Sequence, residues 1–426
     1  MRASPTVAEQ AARAIARLSP EALPASLRRV AEDLVLDIFG LCLAARRSDY
    51  AQAALAGWDG DGDGTAIGHQ RRLSAAGAAF VNGTAAHGED YDDTFEGGPV
   101  HAGAVIVPAV LAAAERFGAD GQAALLGIAV GVETICRLSL VAPKMVHKAG
   151  FHPTAVFGAM AAAAAVSATV KLDERQIVDA WGIAGSMAGG IIEYLADGAW
   201  TKRLHPGWAA QAGLQAALLA RSGFNGPRSV FEGTHGLFNG FAHSSAGDYG
   251  KLTGDFGKTW LAETLAFKPY ACGTMAHPYI DCAKRLAARG VAAEDVAEIL
   301  CEVAEGTVHR LWEPLAAKQA PPNAYAAKFS VPFCIAVGFI TGDAGIAAFT
   351  AETVADPRIR ALAGKVRYVV DPNNPYPQRY TGHVRATLRD GSVVEERQAD
   401  LRGGAKQPLS RAEIEAKFMA NAAYGG

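Results

Sequence analysis

Charge is scarce in this sequence: Asp, Glu, Lys and Arg together make up 19% of 426 residues, against the usual quarter or so in soluble domains. Half of the residues are hydrophobic and 47 are glycine, which excludes a disordered chain and predicts a well-buried enzyme or oligomer of two or three domains. Forty basic residues against 43 acidic ones leave a net charge of −3. That balance gives no general attraction to nucleic acid or to an anionic membrane, and neither is expected as a partner. Cysteine is also sparse: Cys42, Cys136, Cys272, Cys282, Cys301 and Cys334 are scattered and form no CxxC pair, as expected of a reduced, cytoplasmic protein. No apolar signal core follows Met1–Pro5. The longest apolar run, Thr154–Val170, is mostly alanine and contains Gly158 and Ser167. It lacks the Leu, Ile and Phe density of a membrane span and predicts a buried helix. Signature loops are missing as well. There is no Gly-x-Ser-x-Gly elbow and no Gly-x-Gly-x-x-Gly after a strand, and Leu252 stands where a phosphate loop ending at Gly257-Lys258-Thr259 needs its first glycine.

What is present is helix after helix. Pro5–Leu18 and Ala25–Ala44 carry apolar residues at three- and four-residue spacing. From Ala75 to Arg221 apolar helices follow one another, punctuated by glycine. Asp173 and Gln176 have the spacing of a capping box, and Pro153 suits the first position of a helix that His152 precedes. Trp58–Thr65 and Gly189–Ala199 read as loops, and Thr201–Gly207 as the lead into a helix from Trp208. After Phe267 the texture changes: Val296–Val308 and Gly364–Asp371 are strand-like, and His383–Leu388 and Val393–Gln398 flank an Asp-Gly turn. Helical stretches at Tyr279–Ala288 and Lys328–Ile340 lie between them. The fold class is therefore mainly α, with a large helical domain over residues 1–266 and a smaller α/β domain over 267–404. A C-terminal helix within 405–426 is expected to pack back on the first.

The chemistry concentrates between His87 and His101, where two imidazoles and five carboxylates occupy fifteen residues. A core helix precedes this stretch and another follows it, so its charges must be solvated, paired or used. The other polar residues that open or interrupt apolar elements are His152, Lys202, His205, Lys268 and His277. Histidine beside carboxylates can act as a tuned base, and lysines and helix N-termini can hold substrate carboxylates. The combination points to removal of a proton next to a carboxylate. Two readings compete: a metal-dependent hydrolase using His87, Glu89, Asp90, Asp92, Asp93 and His101, and a non-catalytic protein that binds a carboxylate metabolite.

Several segments in order, Val81–His87, Asp90-Tyr91-Asp92-Asp93-Thr94, His101, Gly150–Ala155, Thr201–Gly207, Phe267–Cys272 and Ala327–Ser330, resemble the MmgE/PrpD family of 2-methylcitrate dehydratases, cis-aconitate decarboxylases and an iminodisuccinate epimerase. The resemblance implies a helical domain with an α/β lid, an active site in the cleft between them, a homodimer, and no obligatory cofactor or metal. It implies a small carboxylic acid as substrate and a lyase or isomerase reaction, dehydration of the 2-methylcitrate type being favoured. By matching motif, His101, His152, Asp90 and Lys202 would be catalytic, and Thr94, Lys268, His277, Tyr91 and His205 would contact substrate. One departure is Gly273-Thr274, where relatives carry a more polar or basic pair; it argues against a tricarboxylate substrate.

Overall fold

The computed structural model describes residues 4–98 and 100–426, which divide into two compact units. The first comprises residues 4–88, 92–265 and 414–426, and the second residues 89–91 and 266–413.

The first unit is helical. Its main elements are α1 (Val7–Ile15), α2 (Ala25–Ala45), α3 (Ala75–His87), α4 (Gly103–Phe117), α5 (Gly121–Val141), α6 (Pro153–Thr169), α7 (Glu174–Met187), the short α8 (Tyr194–Asp197) and α9 (Thr201–Arg221). Every residue of α6 is buried, as an alanine-rich helix with no polar face must be when it runs through the centre of a bundle. Helices α4, α5, α7 and α9 pack around it. Alanine and glycine bring the backbones close: a Cβ on Gly213 of α9 would lie 2.4 Å from Ala162 of α6, and one on Gly83 of α3 would lie 2.7 Å from the Cα of Gly207 in α9. The α3–α9 crossing therefore depends on two glycines, and it fixes the ends of α3 and α9 where His87 and His205 sit. Helix α5 alone among the described helices is long and apolar enough to cross a membrane, and 83% of its apolar window is buried inside the unit.

Local signals in the sequence correspond to observed features. Asp173 and Gln176 close a capping box on α7, and Pro153 occupies the first turn of α6 after His152 at the N-cap. Several segments differ from the reading above: α8 stands inside the Gly189–Ala199 stretch read as a loop, and Val296–Val308 is strand only to Val303, with Glu305–Leu311 helical. Trp58–Thr65 is not all loop, because β1 (Asp61–Thr65) pairs with β2 (Arg72–Leu73). Helix α9 begins at Thr201, not Trp208, and carries Pro206 inside it. Lys202 and His205 are thus helical residues. The C-terminal helix, Arg411–Gly425, packs on α2 through Phe418 and Asn421, which lie against Gly40, and through Lys417, whose Nζ is 2.7 Å from Asp37 Oδ1 with both side chains buried.

The second unit contains a four-stranded sheet in the order β4-β3-β5-β6, where β3 is Val296–Val303, β4 Val366–Val370, β5 Gly382–Leu388 and β6 Val393–Gln398. The β3–β4 pair is parallel and the others antiparallel, and the Asp390-Gly391 turn joins β5 to β6. Helix α10 (His277–Ala288) covers this sheet against β5 and β6, and α11 (Val331–Thr341) packs on α10.

Candidate active site

In the first unit four imidazoles come from four places. His87 ends α3, His101 precedes α4, His152 caps α6, and His205 lies in the second turn of α9. Their rings form a chain: centroids are 4.9 Å apart for His101–His87, 6.0 Å for His87–His152 and 5.2 Å for His152–His205. Tyr194 of α8 meets both His152 and His205 edge-on, at 6.2 and 5.8 Å. His87, His152 and His205 are buried; His101 is the most exposed of the four.

Hydrogen bonds fix the rings. His87 Nδ1 is 2.8 Å from Asp92 Oδ2, with both side chains wholly buried. His101 Nδ1 donates to the Asp93 carbonyl at 2.8 Å, which leaves Nε2 as the lone-pair nitrogen of the neutral ring. The His101 backbone N–H donates to Thr154 Oγ1 at 3.2 Å. His152 Nδ1 and His205 Nδ1 are 3.0 Å apart, so one ring donates to the other. The Asp93 carboxylate accepts from the N–H groups of Ala102 and Gly103, at 3.0 and 2.8 Å, and so caps α4.

Electrostatics separates these groups. Burial holds His152 well below the ordinary histidine range, and the neighbouring His87, His205 and Lys202 add to the effect. His205 is lowered to about 4 by burial, His87 and Lys202. Both rings are therefore neutral at pH 7, as a base must be. Asp93 is pushed up to about 7 by burial and by Asp92 and Asp37, against the two amide bonds that favour its charged form.

Of the residues expected at the site, His101, His152, His205, Lys202 and Thr94 fall in this first unit, Thr94 buried at the start of the two-residue strand Thr94–Phe95 that follows Asp92 and Asp93. Asp90, Tyr91, Lys268 and His277 belong to the second. There Lys268 Nζ donates to the Asp90 carbonyl at 2.8 Å and lies 3.2 Å from its carboxylate, while the Tyr91 hydroxyl donates to the Pro269 carbonyl at 3.1 Å. Lys328 holds Glu89 in the same way, from its carbonyl at 2.9 Å and its carboxylate at 3.0 Å. Asp90 takes a left-handed φ of 54°, one that aspartate tolerates better than most residues. His277 opens α10; its Nε2 donates to the Cys272 carbonyl at 3.2 Å, and its ring packs edge-on to Tyr270.

Sequence reasoning placed His87 and Asp92 only in the metal reading and did not select Tyr194 or Lys328. His87 and Asp92 were marked by their place in that stretch and Lys328 by the Ala327–Ser330 segment, whereas nothing local marked Tyr194. Of the six residues in the metal reading, His87, Asp92 and His101 have ligand-type atoms within 4.8 Å of one another. The nitrogens that face Asp92, Nδ1 of His87 and of His101, already hold hydrogen bonds at 2.8 Å to Asp92 and to the Asp93 carbonyl. Among the four rings only His152 and His205 are hydrogen-bonded to each other; the other neighbours are in ring contact. Glu89 and Asp90 are paired with lysines in the other unit.

The helical unit thus carries the neutral His152 and His205 beside Lys202, and the α/β unit carries two buried lysines, Lys268 and Lys328. Comparison with known proteins gives the family. The MmgE/PrpD N-terminal domain matches residues 9–248 and the MmgE/PrpD C-terminal domain residues 270–426, and the chain belongs to this family. It is 27% identical to the cis-aconitate decarboxylase-like protein oryM of Aspergillus oryzae, over 95% of this chain and 88% of that protein. It is 30% identical to the cis-aconitate decarboxylase of Mus musculus, over 82% and 72%, and 25% identical to that of Aspergillus terreus, over 94% and 86%. The chain is thus an enzyme of a family with lyase members.

Proposed function

We propose that this enzyme is a lyase that removes the proton from a carbon next to a carboxylate in a small di- or tricarboxylic hydroxy acid and expels the hydroxyl as water. The observation that carries the reading is the hydrogen-bonded His152–His205 pair, held neutral by burial beside Lys202. A carbon acid of this kind is very weak, so the base must be neutral and close, and the enediolate that forms must be met by fixed positive charge. His152, neutral at pH 7 for the reasons above, is the proposed base. His101, with Nδ1 tied to the Asp93 carbonyl, presents Nε2, which in the doubly protonated ring gives the leaving hydroxyl the proton with which it departs as water. Lys202 holds the substrate carboxylate, with Thr94 and His205 lining the same place, and Lys268 fixes the Asp90–Tyr91 segment. His277 supports the Phe267–Thr274 turn.

Decarboxylation is a second reading, favoured by the activity for which the relatives are named. In that reaction the C–C bond to a carboxylate breaks, CO₂ leaves, and an imidazolium of the same chain protonates the carbon. The small Gly273-Thr274 pair favours dehydration of a smaller acid instead. We also propose that the working form is a homodimer; Ile191, Leu195, Trp200, Leu204 and Trp208 form an exposed apolar run along Ile191–Trp208 that a second copy would cover, and light scattering of the purified protein tests this. For the chemistry, His152→Ala and Lys202→Ala should each lose at least about a hundredfold in turnover, general acid–base groups being worth that much or more, while keeping the wild-type melting profile. Wild-type turnover in either would remove that residue from the mechanism.

A further inference from the structure

His152 and His205 are each followed by proline, and each stands near the start of a helix: His152 at the N-cap of α6 before Pro153, His205 in the second turn of α9 before Pro206. Rigid backbone therefore sets where both rings lie. The His152 backbone N–H donates to the Gly190 carbonyl at 2.8 Å. Gly190 has a φ of 130°, and a Cβ there would lie 2.6 Å from the Ala155 Cβ and 3.3 Å from two ring carbons of His205. The backbone at Gly190 thus reaches both members of the pair, and Tyr194 meets both rings edge-on. Between the rings, His152 Nδ1 lies 3.0 Å from His205 Nδ1. Each ring is neutral at pH 7 and so carries one N–H and one lone pair. One Nδ1 holds the hydrogen and the other the lone pair, which fixes both tautomers. The donor keeps its lone pair on Nε2, and the acceptor keeps its hydrogen there. A ring of this pair that removes a proton from carbon must therefore be the donor.

We propose that His205 is the positioning residue of the base: its Nδ1 lone pair accepts the Nδ1–H of His152, which leaves the Nε2 lone pair of His152 for the substrate proton. The inference rests on the proton-removal reading above. His205 lines the place where Lys202 holds the substrate, but its effect on rate comes through His152. In the step itself the C–H bond breaks, its electron pair stays with the enediolate, and the proton adds to Nε2 of His152. The Nδ1–H of the imidazolium so formed stays on His152, hydrogen-bonded to His205. A bond from a charged donor is stronger than one from a neutral ring, so His205 stabilises the charged state of His152 more than the resting one, as a contribution to rate requires. With the bond reversed, His152 would carry its hydrogen on Nε2 and spend its lone pair on His205, and it could not act as the base.

Two experiments separate this inference from the reading beneath it. In the first, ¹⁵N-histidine-labelled wild-type protein without substrate is examined by NMR at pH 7, where proton–nitrogen correlations show which nitrogen of each ring is protonated. Either His152→Gln or His205→Gln suffices to identify the two rings. The expected result is Nδ1–H with a bare Nε2 for His152, and the opposite tautomer for His205. Nε2–H on His152 with Nδ1–H on His205 would overturn the proposal, whatever the enzyme turns over. In the second, with whichever acid the enzyme consumes, His205→Leu should lower kcat at least about tenfold, with KM within threefold, because the base is no longer held in its working tautomer. The same variant should show His152 released from the Nδ1–H form. His205→Gln, whose side-chain carbonyl accepts the same N–H, should hold that form and return part of kcat. An unchanged kcat in His205→Leu, or a loss with the His152 tautomer unmoved and no recovery in His205→Gln, would assign His205 to packing alone and overturn the proposal. The expected tautomers in a wild-type enzyme that turns over none of the acids would overturn the proton-removal reading and leave the direction of the His152–His205 bond as assigned.

Discussion

Lys417→Met tests whether the C-terminal helix is held to the helical unit by charge. Lys417 Nζ lies 2.7 Å from Asp37 Oδ1, and the two side chains are 5% and 1% exposed. Removing one partner of a buried pair leaves the other charged in a low-dielectric setting, at about 3–5 kcal/mol. Asp37 also acts on Asp93, whose carboxyl it helps to raise, so the loss reaches the residue that caps α4 beside His101. At about 2 °C per kcal/mol for a unit of this size, the melting midpoint should drop by roughly 6–10 °C. The drop should be larger at pH 8 than at pH 5, because an isolated buried carboxyl can take a proton at the lower pH. Replacing both partners, Asp37→Asn with Lys417→Met, should recover more than half of the loss, since no uncompensated charge remains. Calorimetry or circular dichroism of the three variants at the two pH values measures this. A single variant that melts within about 2 °C of wild type at both, or a double variant no better than the single one, would refute the reasoning.

Other outcomes follow from the same electrostatics. His152 and His205 sit below the ordinary histidine range in the fold, so the folded state binds fewer protons than the unfolded one. Their contribution is present above about pH 6.5 and lost as pH falls toward about 4; His205→Gln should flatten the acid limb of a stability–pH curve in that window. Asp93, pushed up to about 7, has the opposite sign, with a contribution present at low pH and lost as pH rises through 7. Asp93→Asn should therefore stabilise the protein at pH 8 relative to pH 5, with melting midpoints as the readout. Lys268→Met should loosen residues 89–91, seen as faster amide exchange there, and lower turnover by at least tenfold; unchanged exchange would show that the lysine does not hold the segment. Exhaustive chelation should leave turnover unchanged, and loss restored by Mg²⁺ or Mn²⁺ would revive the metal reading of the His87–His101 stretch.

The fold was legible where local chemistry and burial agree. Alanine with no polar face predicted the buried α6, Asp173 with Gln176 the capping box of α7, and the Asp-Gly turn the β5–β6 hairpin. It was misread where packing overrides a local signal. Pro206 suggested that the helix starts after it, yet α9 runs through from Thr201, with Gly207 pressed against α3. The alternating Asp-Gly of residues 59–64 contains little that favours a strand, and β1 forms because Arg72–Leu73 offers it a partner. At the site the residue types were readable and their partnerships were not. Lys268 meets Asp90 across 178 residues, and Lys328 meets Glu89 across 239; no spacing rule reaches that far. His87 was visible as part of the acidic stretch, but only the fold shows that it stands between His101 and His152.

The central claim is carbon-acid chemistry, and proton NMR of chelator-treated wild-type enzyme in D₂O tests it most directly. The acids to offer are 2-methylcitrate, citrate, cis-aconitate, malate, tartrate and iminodisuccinate. The account predicts loss of the signal from a proton next to a carboxylate in at least one of them, with an unsaturated product as water leaves. An unaltered spectrum for all six, from enzyme that is folded and still silent after Mg²⁺ or Mn²⁺ is added, would contradict it.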